Sequence, residues 1–229
     1  MNILIEDHAG TEFTAVAKDL EETVRAVAPL VGEVTGLEHP DTVVIETVSP
    51  KGWVKQMRRL DKARFHADTD ELRPDFARKF KARGTLTASA AARNAMWMFL
   101  PAQTVPSGIA RSKTFLMPEA LREGGRLNDE PYLHRLVAHE LTHSFQYAAA
   151  EDMYRLATTA YPDLRDVADR DYGFLMEGHA YWVDRQITRR RYDGPLADGP
   201  GPTATKEFLA VAKTSRYRDL KARWEQAIT

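Results

Sequence analysis

Cysteine is absent from this 229-residue chain. That removes disulfides, thiol nucleophiles, iron–sulfur clusters and thiolate zinc sites, so a metal could be held only by His, Asp or Glu. Net charge is nearly absent too, because 32 Lys and Arg stand against 33 Asp and Glu, for −1 at pH 7. Such a balance creates no global field toward nucleic acid or an anionic membrane, and neither is expected as a partner. Long apolar runs are missing. The greasiest stretch, Ala95 to Leu100, is far too short to cross a bilayer. The first residues, Met1-Asn2-Ile3-Leu4-Ile5-Glu6-Asp7, have neither the basic nor the apolar region of a secretion signal. A soluble, cytoplasmic protein is expected.

What is present is ordinary for a globular chain: 43 % hydrophobic and 28 % charged residues. A chain of this length buries about 70 % of its surface on folding, enough for one core. We expect a single domain over 1–229, with a helical and strand part in 1–100 and a functional part in 101–229.

Leu20, Val24, Val27 and Val31 recur at helical spacing, which predicts a helix from Thr11 or Glu12 to about Gly32. The β-branched run Thr42 to Val48, bounded by Pro40 and Pro50, reads as a strand. Residues 52–66 and 74–99 read as helical. Pro101, Pro106 and Gly108 mark a loop, and Ser112 to Met117 a short strand. A long helix is predicted from Asn128 to Ala150, capped by Asn128 or Asp129 with Pro131 in its first turn. A further helical piece covers 151–161, and a second important helix 171–190. An irregular loop follows from Asp193 to Pro202, then a last helix over 205–228 with Phe208, Val211, Leu220 and Trp224 as core contacts. The sum is an α+β chain, mostly helical, with a small mixed sheet.

The chemistry concentrates in His139-Glu140-Leu141-Thr142-His143. Residues four apart share a helix face, so both imidazoles can point at one ion. Zinc at about 2.0–2.1 Å from each nitrogen suits that arrangement. Glu140 is turned about 100° around the helix, free to act on a water as general base and not as a ligand. Random order of this composition would give the pattern in about one chain in seventy, so chance explains it poorly. Val137, Leu141 and Ala148 offer an apolar face opposite the histidines.

A catalytic zinc site needs a third protein ligand. Glu177, in Met176-Glu177-Gly178-His179-Ala180-Tyr181-Trp182, lies 34 residues after His143. Gly178 and Ala180 are small, which suggests that two helices approach closely there. His179 competes for the same role, but about 200° of helix separates it from Glu177, so the two should not coordinate together. Asp184 is spaced to hold a ligand histidine through its second nitrogen. Tyr181 and Tyr147, each one turn from a candidate ligand, could donate to a developing oxyanion or simply pack.

The pairing of HELTH with the downstream EGHA resembles the gluzincin division of zincin metallopeptidases, which includes thermolysin-like and membrane-alanyl-aminopeptidase-like families. The longer strings HELTHSFQ and EGHAYW are also similar to bacterial zincin-like proteins. The resemblance covers roughly 112–184 and rests on these two motifs. It implies a zincin-like fold with an HExxH active-site helix and one zinc ion per chain. His139, His143 and Glu177 are its implied ligands, and Glu140 the implied general base. It also implies an edge strand that holds an extended peptide or protein substrate, for which 112–117 is the matching segment. Two departures stand out: Tyr181 replaces the Asp of thermolysin-like enzymes, and the GxMEN-like run of aminopeptidases has no counterpart.

The leading expectation is an intracellular zinc metallopeptidase. Two alternatives stay open: a zinc hydrolase of small-molecule amides, and a non-catalytic interaction protein with a structural metal site. The second would use the basic stretch Arg185 to Arg191, which equally fits a helix C-terminus favoured by the macrodipole.

Overall fold

Ile3 and Ile5 turn inward between exposed neighbours, and Asn2–His8 form strand β1, which the sequence did not lead us to expect. The computed structural model describes residues 1–70, 101–108, 111–150 and 173–193. A short 3-10 turn at Thr11–Phe13 leads into helix α1, Thr14–Thr35. Leu20, Val24, Val27 and Val31 are all buried on it, as their spacing predicts. The helix does not stop at Gly32 but runs on to Thr35. There Gly36 adopts φ 66°, and its N–H donates to the Gly32 carbonyl at 2.8 Å in a left-handed cap. Glycine inside a helix costs only about 1 kcal/mol, too little to end one that buries this much apolar surface.

Strand β2 follows at Thr42–Val48, helix α2 at Pro50–Asp70, strand β3 at Ala102–Gly108 and strand β4 at Arg111–Leu116. Helices α3 (Pro118–Glu123), α4 (Glu130–Ala149) and α5 (Gly173–Thr188) complete the order, and a π-helical turn at Arg189–Asp193 extends the last. Among the described residues the chain is mixed α+β, with five α-helices and one four-stranded mixed sheet. None of these helices is long and apolar enough to cross a membrane. The expected elements over 74–99, 151–161 and 205–228 and the loop over 194–202 lie outside the described residues.

The sheet runs β1-β2-β4-β3, with β1, β2 and β4 parallel and β3 antiparallel at one edge. Two expectations are corrected here. Residues 102–108 are strand, not loop; Pro106 faces Ser112 and the register slips between Pro106 and Gly108. Proline is tolerated on an edge strand, where it need not remove a ladder bond. Nor is 112–117 an edge, because β4 pairs with β2 on one side and β3 on the other.

Helices cover both faces of the sheet. On one, Val43, Ile45 and Leu116 join Val24 and Val27 of α1, Leu141 and Phe145 of α4, and Val183 and Ile187 of α5. On the other, Trp53 of α2 packs with Val48, Phe115 and Met117. Asp129 starts α4 by accepting the Tyr132 N–H at 3.1 Å, with Pro131 in the first turn. Val137 and Leu141 are buried as expected, whereas Ala148 is only half-buried. The close approach expected at Gly178 is not found among the described residues: a methyl group there would meet none of them within 4 Å. Ala180, by contrast, is wholly buried.

Candidate metal centre

Helix periodicity puts His139 and His143 one turn apart on α4, and their Nε2 atoms face each other at 3.3 Å. Glu177 enters from α5, with Oε2 at 3.2 Å from His139 Nε2 and Oε1 at 3.5 Å from His143 Nε2. Ligand atoms held at 2.0–2.1 Å around a tetrahedral zinc lie about 3.3–3.4 Å apart. The separation of the two imidazole nitrogens fits one edge of such a tetrahedron, and the Glu177 carboxylate meets each nitrogen through a different oxygen, which keeps the three ligand groups within 4.8 Å of one another. The 3.2 Å contact is also a hydrogen bond between the His139 imidazole and the Glu177 carboxylate.

Both rings are held from behind. His139 Nδ1 lies 3.1 Å from Asp184 Oδ2, as the spacing predicts, and Asp184 is buried and also accepts from Arg135 Nε at 3.3 Å. His143 Nδ1 lies 2.8 Å from Gln146 Oε1. The Gln146 amide then donates to the Met176 carbonyl and meets His179 Nδ1, both at 3.0 Å. These contacts place a hydrogen on each Nδ1 and turn each Nε2 inward, so Nε2 is the atom that would ligate a metal once it carries no proton. Gln146 was not anticipated, although its place one turn after His143 was a usable signal.

The structure brings His139, His143 and Glu177 together and sets His179 apart. The His179 ring is buried on Gln146 and stacks against Trp182 with centroids 6.2 Å apart. Burial, helped by the neighbouring His143, pushes its pKa down to about 4, so it is neutral. His139 behaves oppositely. Burial works against its charge, but hydrogen bonds to Asp184 and Glu177 and the charge of Glu140 raise its pKa to about 9. Hydrogen bonds from His139 and His143 hold Glu177 far below the usual carboxylate range, against the effect of burial.

Glu140 is buried between α4 and the sheet. Its Oε2 accepts the Thr104 hydroxyl at 2.7 Å, and Thr104 Oγ1 lies 2.8 Å from Thr114 Oγ1. Thr104 and Thr114 could not be found from sequence, because the contact depends on strand pairing in a segment read as loop. Tyr181 is half-exposed, with its ring 4.6 Å from that of His139. Tyr147 is buried, and burial followed by the charges of Glu177 and Glu140 pushes its hydroxyl pKa up.

A second trio with ligand spacing, Glu6, His8 and Glu46, lies on β1 and β2. The Lys113 ammonium pairs with Glu46 and stands 3.9 Å from Glu6, so a cation already serves these carboxylates. Two arginines of the basic run at the end of α5 are tied down as well. Arg190 reaches Glu33 at 2.6 Å, and Arg191 lies 3.9 Å from Glu130. No protein-family model, curated protein or solved structure matches the chain, and the functional reading rests on this geometry.

Proposed function

We propose that this chain is a zinc-dependent hydrolase, a metallopeptidase of zincin-like fold acting in the cytoplasm. The observation that carries the reading is the convergence of His139 Nε2, His143 Nε2 and the Glu177 carboxylate, a triangle of groups whose ligand atoms lie within 4.8 Å of one another. Support also comes from Glu140, which is adjacent to a ligand in sequence, absent from the triangle and close enough for its charge to act on His139. A purely structural metal site has no use for such a carboxylate.

When bound, zinc supplies Lewis acidity toward the substrate carbonyl and lowers the pKa of water. Glu140 takes the proton of the attacking water and returns it to the leaving amine. Asp184 and Gln146 fix the two imidazoles. Strand β3, not the segment 112–117, is the outer strand beside β4, and it offers an edge unpaired among the described residues along which an extended peptide can add.

The test is zinc content and peptide cleavage of wild type beside Glu140→Gln. One zinc per chain in both, with cleavage reduced about 10²–10⁴-fold in the variant, is expected for loss of a general base. Equal cleavage by both proteins rules the mechanism out. A zinc-loaded wild type that leaves a broad peptide panel uncut moves the reading to small-molecule amides.

A further inference from the structure

We infer that Thr104, on the edge strand, is the positioning residue of the general base; this rests on the hydrolase reading above. The proton count leads there. A threonine hydroxyl has one proton to give and can accept others. Thr104 Oγ1 lies 2.7 Å from Glu140 Oε2, 3.1 Å from the Glu140 carbonyl and 2.8 Å from Thr114 Oγ1. The shortest of these contacts ends on a carboxylate, the strongest acceptor of the three. Thr104 therefore donates to Glu140 Oε2, and Thr114 must donate to Thr104. Thr114 is itself buried on the central strand, so the relay is anchored in the core of the sheet.

The consequence concerns orientation. A glutamate side chain has three rotatable bonds, and Glu140 lines a small cavity with Leu20, Ile45, Leu116 and Val137, which cannot hold its carboxylate by hydrogen bonds, and with Thr114, which is bonded to Thr104. The Thr104 bond occupies Oε2 and fixes the carboxylate plane, which leaves Oε1 to accept a water proton. The same residue lies on a strand whose outer edge is unpaired among the described residues, so base and substrate edge are set by one element. Thr104 touches none of His139, His143 or Glu177 among its hydrogen bonds, and zinc binding should not depend on it.

Thr104→Val keeps the shape and removes the hydroxyl. With zinc still at one per chain, kcat should fall by about ten- to a hundredfold, the scale of a misplaced catalytic group, while KM changes little. Thr104→Ser should recover most of that loss. A second readout needs neither metal nor substrate: the urea midpoint of Thr104→Val in the wild-type and Glu140→Leu backgrounds. The shift should be clearly smaller in Glu140→Leu, where there is no carboxylate left to strand. Full kcat in Thr104→Val, or equal midpoint shifts in both backgrounds, overturns the assignment and leaves the hydrolase reading intact. A zinc-loaded wild type without turnover on any amide overturns that reading and the positioning role with it.

Discussion

Asp184 shows how much of the candidate site depends on residues that would never touch the metal. Its carboxylate lies behind His139, is almost wholly buried and is shared with Arg135. Losing a partner of this kind costs about 10–100-fold in metal affinity, so Asp184→Ala should weaken zinc by that factor in a chelator-competition titration. Unchanged affinity would mean that His139 is oriented by its own helix alone. Protonation gives a second expectation at this scale. His139 titrates near 9 in the metal-free protein, so it carries a proton at pH 7 that zinc must displace. Calorimetry in buffers of different ionisation heat should show proton release on binding at pH 7, fading as pH passes 9. The stability linked to the same group has a definite sign. Because the pKa is raised above its ordinary value of 6.5, the contribution is complete below that pH and is lost as pH rises through about 9. The metal-free protein should therefore lose denaturation resistance across that window, just where zinc affinity gains.

At the level of elements, what could be read from the sequence was what is local. An i, i+4 histidine pair needs only a helix, and Asp129, Pro131 and the apolar positions of α4 mark that helix without help from the rest of the chain. Glu177 and Asp184 followed because α5 is also a helix with a regular face. Strand β3 was hidden, since Pro101, Pro106 and Gly108 carry a turn signal that an edge position overrides through pairing with β4. The Thr104 contact with Glu140 was hidden with it. Gly178 is the instructive error. Read as a close contact between helices, it is an exposed position with nothing among the described residues within 4 Å of an added methyl group. Glycine in a helix is about 0.8–1 kcal/mol worse than alanine, so Gly178→Ala should stabilise the protein by roughly that amount. A urea titration with unchanged slope and a higher midpoint would show it. A lower midpoint would mean that something outside the described residues packs against this spot.

For the whole molecule, the site is a junction between elements that are distant in sequence. His139 and His143 belong to α4, packed on the sheet, while Glu177 comes from α5, whose Val183 and Ile187 enter the same core. An ion at the triangle would tie these helices together. Ligand binding to the native state alone stabilises by RT ln(1 + [L]/Kd), about 2.7 kcal/mol when free zinc is a hundred times Kd. In a chain of this size each kcal/mol moves Tm by about 2–4 °C, so zinc at that excess should raise Tm by about 5–10 °C. Chelation should reverse the gain. The control is His143→Ala, which removes one corner of the triangle and should leave Tm insensitive to zinc and chelator alike. A zinc response that survives in that variant would place the ion elsewhere, and Glu6, His8 and Glu46 would be the next trio to test. That outcome is disfavoured by Lys113, because zinc would first have to displace an ammonium already paired with the buried Glu46. The triangle on α4 and α5 has no such competitor among the described residues beyond the His139 proton, so the thermal shift should be largest above neutral pH, where that proton is most easily lost.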